Sequence, residues 1–452
     1  MFLPTLVVRS RRVVTPRGTR AAAIHIRNER VIGVLDFDDV PPGCPLDDAA
    51  GAVIMPGVVD THVHVHDSGR AGSGFESATR AAAAGGITTL VAMPFPGPAT
   101  TTVAALGGKR RAAQGTCHVD VGFWGGVVPG NARDLAPLFE AGALGFKCVL
   151  LPCAGGDFPP VSEGDLRIAM PALKRLGATL LVHAELAEPI DNARARQHVE
   201  RRWVDRIPGL SRASRRYATY LSGRPKEAEN EAIARLIQLC REHHTRTHVV
   251  HLSSSDALTP LFHARTAGLP ITAETCPHYL YFVADEIADG TTALTCAPPI
   301  RERANREFLW AALANGLIQM VVSDHAAVRG DGMCGLPSLQ LSLPVMWTEA
   351  RARGYTLDQL ADWMCRSPSQ LAGLSRKGKI DVGYDADLVV LDSDAEFMVE
   401  PRSVEQRHHV TPYLGRRLRG VVERTYLRGK TIYSRGDGLT SPQGTLMIGD
   451  AN

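Results

Sequence analysis

The stretch Met55-Pro56-Gly57-Val58-Val59-Asp60-Thr61-His62-Val63-His64 reads as a short β-branched strand that ends in two histidines at i and i+2. Residues two apart on a strand point to one face, so the two imidazoles stand side by side at its C-terminal end. Outward from this strand the same texture repeats. Short β-branched runs at 57–64, 87–93, 118–127, 144–151, 179–183, 247–252, 270–274 and 318–323 alternate with Ala-, Leu- and Arg-rich stretches of helical period. Eight strands, each followed by a helix, predict an α/β fold, a (β/α)8 TIM-like barrel.

The flanks differ. Residues 5–54 break into short strands and turns, and β texture returns after Arg376 in the Lys379 to Leu391 segment, Val421-Val422, Tyr426-Leu427 and Thr431-Ile432-Tyr433. The expected organisation is a small β-sandwich formed by both chain termini, with 1–54 as its N-terminal part and 377–436 as its C-terminal part. The barrel occupies 55–376. The polar, Gly-rich tail at 437–452 is expected to be loosely ordered.

Composition excludes several functions. Hydrophobic residues make up 44% and charged residues 21%, which rules out a mainly disordered chain. The longest apolar runs are about ten residues, too short to span a membrane. The start, Met1 to Val8 followed by Arg9, lacks a signal-peptide layout, so a cytoplasmic protein is expected. Net charge is +3, which gives no reason to expect nucleic acid. The nine cysteines include no CxxC pair, and most read as small buried hydrophobes. Only seven residues are lysine, against 50 Lys plus Arg. A lysine inside an apolar strand therefore needs a specific reason, and Lys147 in Gly145-Phe146-Lys147-Cys148-Val149 is that case.

Barrels of this kind carry their chemistry at the C-terminal strand ends. Those ends here hold His62 and His64, Lys147, His183, His251 and Asp324. Each alone has a plain reading: a hydrogen-bonded core histidine, a surface lysine, a helix cap. Together at one barrel mouth they form a metal site. Imidazoles and carboxylates suit zinc and similar divalent ions. A buried lysine loses its proton readily and can take up CO2. The resulting carbamate has two oxygens and can bridge two cations, which together make a strong nucleophile of water at neutral pH. Asp324 would be the proton shuttle.

With these residues in view, the chain resembles the amidohydrolase superfamily, in the cyclic-amidase branch of dihydroorotases, hydantoinases (dihydropyrimidinases) and allantoinases, and is most similar to the allantoinases. The stretches that carry the resemblance include MPGVVDTHVH (55–64), HVDVGFWGGVVPGN (118–131), GALGFKCVLLP (142–152), LLVHAE (180–185), HVVHLSSSDAL (248–258), ITAETCPHYL (271–280), CAPPIRERANRE (296–307), MVVSDHA (320–326) and KGKIDVGYDADLVVLD (377–392). They cover nearly the whole chain. The resemblance implies two divalent metals per chain, zinc first, with manganese, iron, cobalt or nickel as alternatives. His62 and His64 would ligate the more buried ion, His183 and His251 the second, a carboxylated Lys147 would bridge them, and Asp324 would be the metal-bound catalytic aspartate. The implied reaction is hydrolysis of a cyclic amide, with allantoin opened to allantoate, in a homo-oligomer, a tetramer by resemblance.

Three loops depart from the allantoinase pattern. The 66–75 loop after the HxH lacks the usual Asn-Glu-Pro-Gly-Arg and Trp. Residues 93–98 read Met-Pro-Phe-Pro-Gly-Pro without the usual Asn. Residues 323–328 read Ser-Asp-His-Ala-Ala-Val where Ser-Asp-His-Ser-Pro-Cys is usual. Losing polar partners at the mouth changes which ring is accepted. His66 reads as a rim residue or a substrate contact in preference to a third ligand. Cys153, Cys296 and Cys334 lie on loops that touch substrate in relatives, with small apolar packing as the alternative. Ala297 and Gly335 would offer backbone groups to a ring amide. Arg301 and Arg303 read as structural ion pairs or anion contacts, and Trp310 and Trp347 as core or subunit contacts. Two other functions stay open: a paralogue opening or closing a different ring (hydantoin, dihydropyrimidine or dihydroorotate-like), and a non-catalytic dihydropyrimidinase-like scaffold.

Overall fold

A computed structural model describes residues 3–65, 74–152, 156–204, 217–326, 335–405 and 409–448. The N-terminal strands β1 (Leu6–Thr15), β2 (Gly18–Arg27), β3 (Arg30–Leu35), β4 (Leu46–Asp48) and β5 (Val53–Pro56) precede the barrel. The barrel strands are β6 (Val58–His64), β7 (Ile87–Ala92), β8 (Asp120–Phe123), β9 (Gly125–Gly126), β10 (Phe146–Val149), β11 (Leu180–His183), β12 (Thr247–Val249), β13 (Ile271–Thr275), β14 (Met320–Val321) and β15 (His325–Ala326). After them come β16 (Leu388–Met398), β17 (Arg417–Leu427), β18 (Lys430–Ser434) and β19 (Gly438–Leu439).

Every pairing in the barrel is parallel, and the ring closes. It runs β15-β6-β7-β8 in one arc and β9-β10-β11-β12-β13-β14 in the other. The arcs join because β8 and β9 are two halves of one strand position, as are β14 and β15. The sequence predicts one unbroken run over 118–127 and a last run that ends at 323, short of β15. In the first, the chain breaks at Trp124, whose indole N–H donates to the Thr61 carbonyl at 2.7 Å. In the second it breaks at 322–324, where Ser323 N donates to the Asp60 carboxylate and Asp324 turns to φ +47°. Strands buried on both faces read as continuous apolar runs, which is why all eight positions were visible in sequence. Val59, Val91, Trp124, Leu181 and Val250, drawn from around the ring, pack as one cluster. Side chains from so many strands meet only inside the barrel, so the barrel is a filled core with its chemistry at the mouth.

Strands from both ends of the chain share one hydrogen-bonded ladder, β19-β18-β17-β16-β5-β1-β2-β3, with β4 paired to β1. Val8, Ile24, Val31, Leu388, Val390 and Tyr426 belong to one core, although β3 and β17 lie far apart in that ladder. The ladder therefore curls on itself. Val31 N donates to Tyr384 O at 2.9 Å, tying the β3 edge to the segment that leads into β16.

The tail differs from expectation. Residues 444–447 are pinned to the barrel: Gly444 N donates to Cys117 O, Val121 N to Thr445 O, and Met447 N to Val121 O. A Cβ on Gly444 would meet Val119 O at 2.0 Å, so only glycine allows this approach. Thr445 N and Oγ1 both donate to Asp120 Oδ1, at 2.8 and 2.9 Å. Asp120 also receives Lys377 Nζ at 2.7 Å and the Arg428 guanidinium at 2.5 Å, and Lys377 reaches Asp387 at 2.7 Å and Asp385 at 3.1 Å. Burial opposes the charge on Lys377, yet the carboxylates of Asp387, Asp120 and Asp385 hold its pKa above the ordinary value. Polar composition hid this contact, because the tail is held by backbone and carboxylate bonds and not by an apolar face.

Trp310 and Trp347 are core residues, each with its indole N–H on a buried carbonyl, Leu280 O and Ser393 O respectively. Arg301 pairs with the buried Glu229 at 3.5 Å and Arg303 with the exposed Glu286, so both serve as ion pairs. Among the described residues no helix is long and apolar enough to cross a membrane.

Candidate active site

β6 carries His62 and His64 on adjacent turns of the pleat, with ring centroids 5.4 Å apart. His62 is completely buried, and its Nδ1 lies 2.5 Å from Glu274 Oε1. Glu274 is the penultimate residue of β13, and its other oxygen meets His248 Nε2 at 3.0 Å, which in turn reaches Thr272 Oγ1 through Nδ1 at 2.7 Å. This bond at Nδ1 leaves Nε2 of His62 facing the mouth. Nε2 lies 3.1 Å from Asp324 Oδ1 and has no hydrogen-bond partner. His64 is fixed the same way: Nδ1 sits 2.9 Å from Phe95 O, its ring rests 4.9 Å from the Phe95 ring, and Nε2 lies 3.6 Å from Asp324 Oδ1.

Lys147 on β10 is 1% exposed. Its charge is felt by both His62 and His251. His183 ends β11, with Nδ1 2.9 Å from His251 Nε2 and Nε2 2.9 Å from Glu185 Oε2. Arg224 clamps Glu185 with two bonds, at 3.2 and 2.9 Å. Burial pushes the Glu185 carboxyl up, but Arg224 and His183 more than offset it and hold it at about 2. Glu185 is thus a fixed anion that orients His183. His251 lies 5.4 Å from His62, ring to ring.

Burial, followed by the positive charge of Lys147 and of neighbouring imidazoles, holds the pKa of His62 well below the ordinary histidine value. Burial, then His183 and Lys147, does the same at His251. Both rings are therefore neutral at ordinary pH, which is the form that donates a lone pair.

Asp324 is fully buried, and neither of its oxygens has a hydrogen-bond partner. Its φ of +47° and the +40° of His251 place two non-glycine residues in the left-handed region. Such backbone costs about 1–3 kcal/mol each and persists where surrounding structure imposes it, as at functional sites. Gly335 shows how Asp324 is imposed upon. It has φ +90°, and a Cβ there would meet Asp324 O at 2.1 Å and Asp324 Oδ1 at 3.1 Å. Asp60, beneath them, accepts from both His62 N and Ser323 N and so ties the first strand position to the last. Burial pushes its carboxyl up to about 7, against the hydrogen bonds from Ser323 and His62.

The six strand-end residues singled out in the sequence thus meet at one mouth. Cys296, which feels the charge of Asp324, and Ala297 are buried, and Tyr220 donates its hydroxyl to Cys296 O at 2.6 Å. His66, Cys153 and Cys334 lie outside the described residues. The supporting groups Asp60, Glu185, Arg224, His248 and Glu274 were not singled out in advance. A buried carboxylate directly after or within a strand, as in LLVHAE and ITAET, was the signal available for them.

Residues 53–432 match the amidohydrolase family. The chain belongs to the amidohydrolase family. Within it the chain falls in the cyclic-amidase branch. It is 45% identical to an allantoinase of Streptomyces avermitilis, over 98% of both chains. It is 38% identical to an allantoinase of Arabidopsis thaliana, over 98% of this chain and 90% of that one. Among solved structures it is similar to the L-hydantoinase (dihydropyrimidinase) of Arthrobacter aurescens, with TM-score 0.89, 31% identity and coverage of 99% of this chain and 100% of that one. Amidohydrolase membership implies a binuclear metal centre. The donors present fit one: His62, His64 and Asp324 offer ligand atoms within 4.8 Å of one another, all buried. The hydrogen-bond vacancies at His62 Nε2, His251 Nδ1 and both Asp324 oxygens are costly unless a cation fills them.

Proposed function

We propose that this amidohydrolase is an allantoinase, which hydrolyses the cyclic amide of the hydantoin ring of allantoin to give allantoate. The observation that carries the chemistry is the convergence of His62 Nε2 and His64 Nε2 on the buried Asp324 carboxylate, whose oxygens have no hydrogen-bond partner. The full-length identity to allantoinases supports the substrate. His62 and His64 would hold one divalent cation, zinc first among candidates, and His183 and His251 a second. Lys147, carboxylated by CO2 at Nζ with loss of a proton, would lie between them. Two such cations would supply Lewis acidity toward the ring carbonyl and acidify a water for attack.

The chain's own groups do the rest. Glu274 and Glu185 hold the imidazoles in register. Asp324, with no internal hydrogen bond to break, accepts the proton of the attacking water and delivers it to the leaving ring nitrogen. Cys296, Ala297 and Gly335 line the mouth and offer backbone groups to the ring amide; His66, Cys153 and Cys334 belong to the same proposed contact set. The protein so assigned is cytoplasmic and homo-oligomeric, a tetramer by analogy with relatives.

One observation favours a second reading. Pro96 stands where the allantoinase pattern has Asn, and the preceding Phe95 has its ring 4.9 Å from His64 and 4.7 Å from Phe158. An apolar wall there suits a hydantoin or dihydropyrimidine with an apolar substituent. The purified protein, loaded with zinc, manganese or cobalt, is to be assayed side by side on allantoin, hydantoins, dihydropyrimidines and dihydroorotate. Allantoate formation at the highest kcat/KM is expected. No allantoate at any metal loading would overturn the assignment.

A further inference from the structure

A second convergence of donor groups also includes Asp324. β13 ends at Thr275, and the chain then turns into the short helix Pro277–Tyr281. Cys276 and His278, on that turn, are both buried. The Cys276 sulfur, a ring nitrogen of His278 and a carboxylate oxygen of Asp324 all lie within 4.8 Å of one another, and all three residues are buried. His278 is 0% exposed, yet neither of its ring nitrogens has a hydrogen-bond partner. A buried donor or acceptor left without a partner is destabilising. Tyr279 packs edge-on against its ring at 4.2 Å and satisfies neither nitrogen.

We infer that Cys276, His278 and Asp324 form a third cation site, selective for soft or borderline divalent ions such as zinc, cadmium and cobalt, and that filling it inhibits the enzyme. The chemistry follows from the donor set. A thiolate, an imidazole and a carboxylate are three protein ligands of the kinds zinc takes, with a fourth position left for water. The sulfur biases the set toward these ions and away from manganese and magnesium. On binding, the Cys276 thiol releases its proton to solvent and a sulfur–metal bond forms, while neutral His278 donates a lone pair. Asp324 has two oxygens, and Oδ1 faces His62 and His64. A cation held by Cys276 and His278 claims the same carboxylate and removes it from proton transfer.

The test reads the sulfur directly. Metal-free full-length protein is titrated with Co2+ while the thiolate-to-cobalt charge-transfer absorption and the hydrolysis of allantoin are followed. In the wild type the band is expected to appear only after activity has reached its maximum, and activity to fall as the band grows. Excess Mn2+ should leave activity at its plateau. Cys276→Ser should lose both the band and the inhibition, and His278→Gln should shift both to higher cobalt. A wild type with no thiolate band at any loading overturns the site, as does a band unchanged in Cys276→Ser. Should the serine variant fail to fold, a band in His278→Gln at the wild-type cobalt concentration overturns it equally. Absence of allantoin hydrolysis at low metal loading would count against the proposed activity and leave the band as an independent readout of this site.

Discussion

Lys147 is the residue on which the metal reading turns. It is one of seven lysines, and it sits 1% exposed beside imidazoles that are held neutral. An ammonium in that setting repels cations, whereas a carbamate attracts them. Lys147→Ala is therefore expected to lose bound metal and activity together, and short-chain carboxylic acids in the buffer should restore part of both. Wild-type activity in the variant, with metal retained on elemental analysis, would remove the carbamate from the mechanism. Glu274 acts one step further out, through the 2.5 Å contact that fixes His62. Glu274→Gln keeps the shape but not the charge. Metal affinity, measured by competition with a chelator, should fall about 10–100-fold. The proposed ligands were legible in the sequence because each lies in or just after an apolar strand run of a recurring pattern. Glu274 was not, since its role depends on β13 reaching β6 across 212 residues of chain. A lone buried glutamate reads equally well as an ordinary ion-pair member. The same holds for Glu185, whose meaning comes from Arg224, 39 residues away.

At the scale of elements, the loop after β7 is held by the helix that follows it. Lys109, on the helix Val103–Ala113, donates to Met93 O at 2.9 Å and Pro94 O at 2.8 Å. The next residue, Phe95, accepts His64 Nδ1 through its own carbonyl, so the helix positions a site histidine at one remove. Burial pushes the Lys109 ammonium down from 10.5 to about 7. The sign of the pH effect follows. Between pH 7 and about 10.4 the unfolded chain keeps a proton that the folded chain has shed, so stability rises with pH across that window. Lys109→Met should remove this rise, which urea unfolding at pH 7 and pH 9 would show. An identical pH dependence in wild type and variant would contradict it. The barrel's eight strand positions could be read from the sequence because parallel strands are apolar on both faces. The breaks at Trp124 and at 322–324 could not, since they arise from bonds to Thr61 O and to Asp60 on a neighbouring strand.

Over the whole molecule, one ionic cluster joins the barrel to the curled sheet. Lys377 bridges Asp120, Asp385 and Asp387 with 2% of its side chain exposed. Removing one partner of a buried ion pair costs about 3–5 kcal/mol, because the other charges stay buried and unpaired. Lys377→Met is expected to lower the denaturation midpoint accordingly and to leave the metal content of the folded protein unchanged. A variant as stable as the wild type would mean that water reaches the carboxylates.

That cluster also sets an order of events during synthesis. Asp120 lies on the third strand position of the barrel, but its neutralising partners are made much later: Lys377 follows by 257 residues, Arg428 by 308 and Thr445 by 325. Until those residues leave the ribosome, the carboxylate cannot be sealed inside as an anion without severe cost. A nascent barrel must keep that strand wet or protonated. Its tight packing is a late event, completed when residues 444–447 dock.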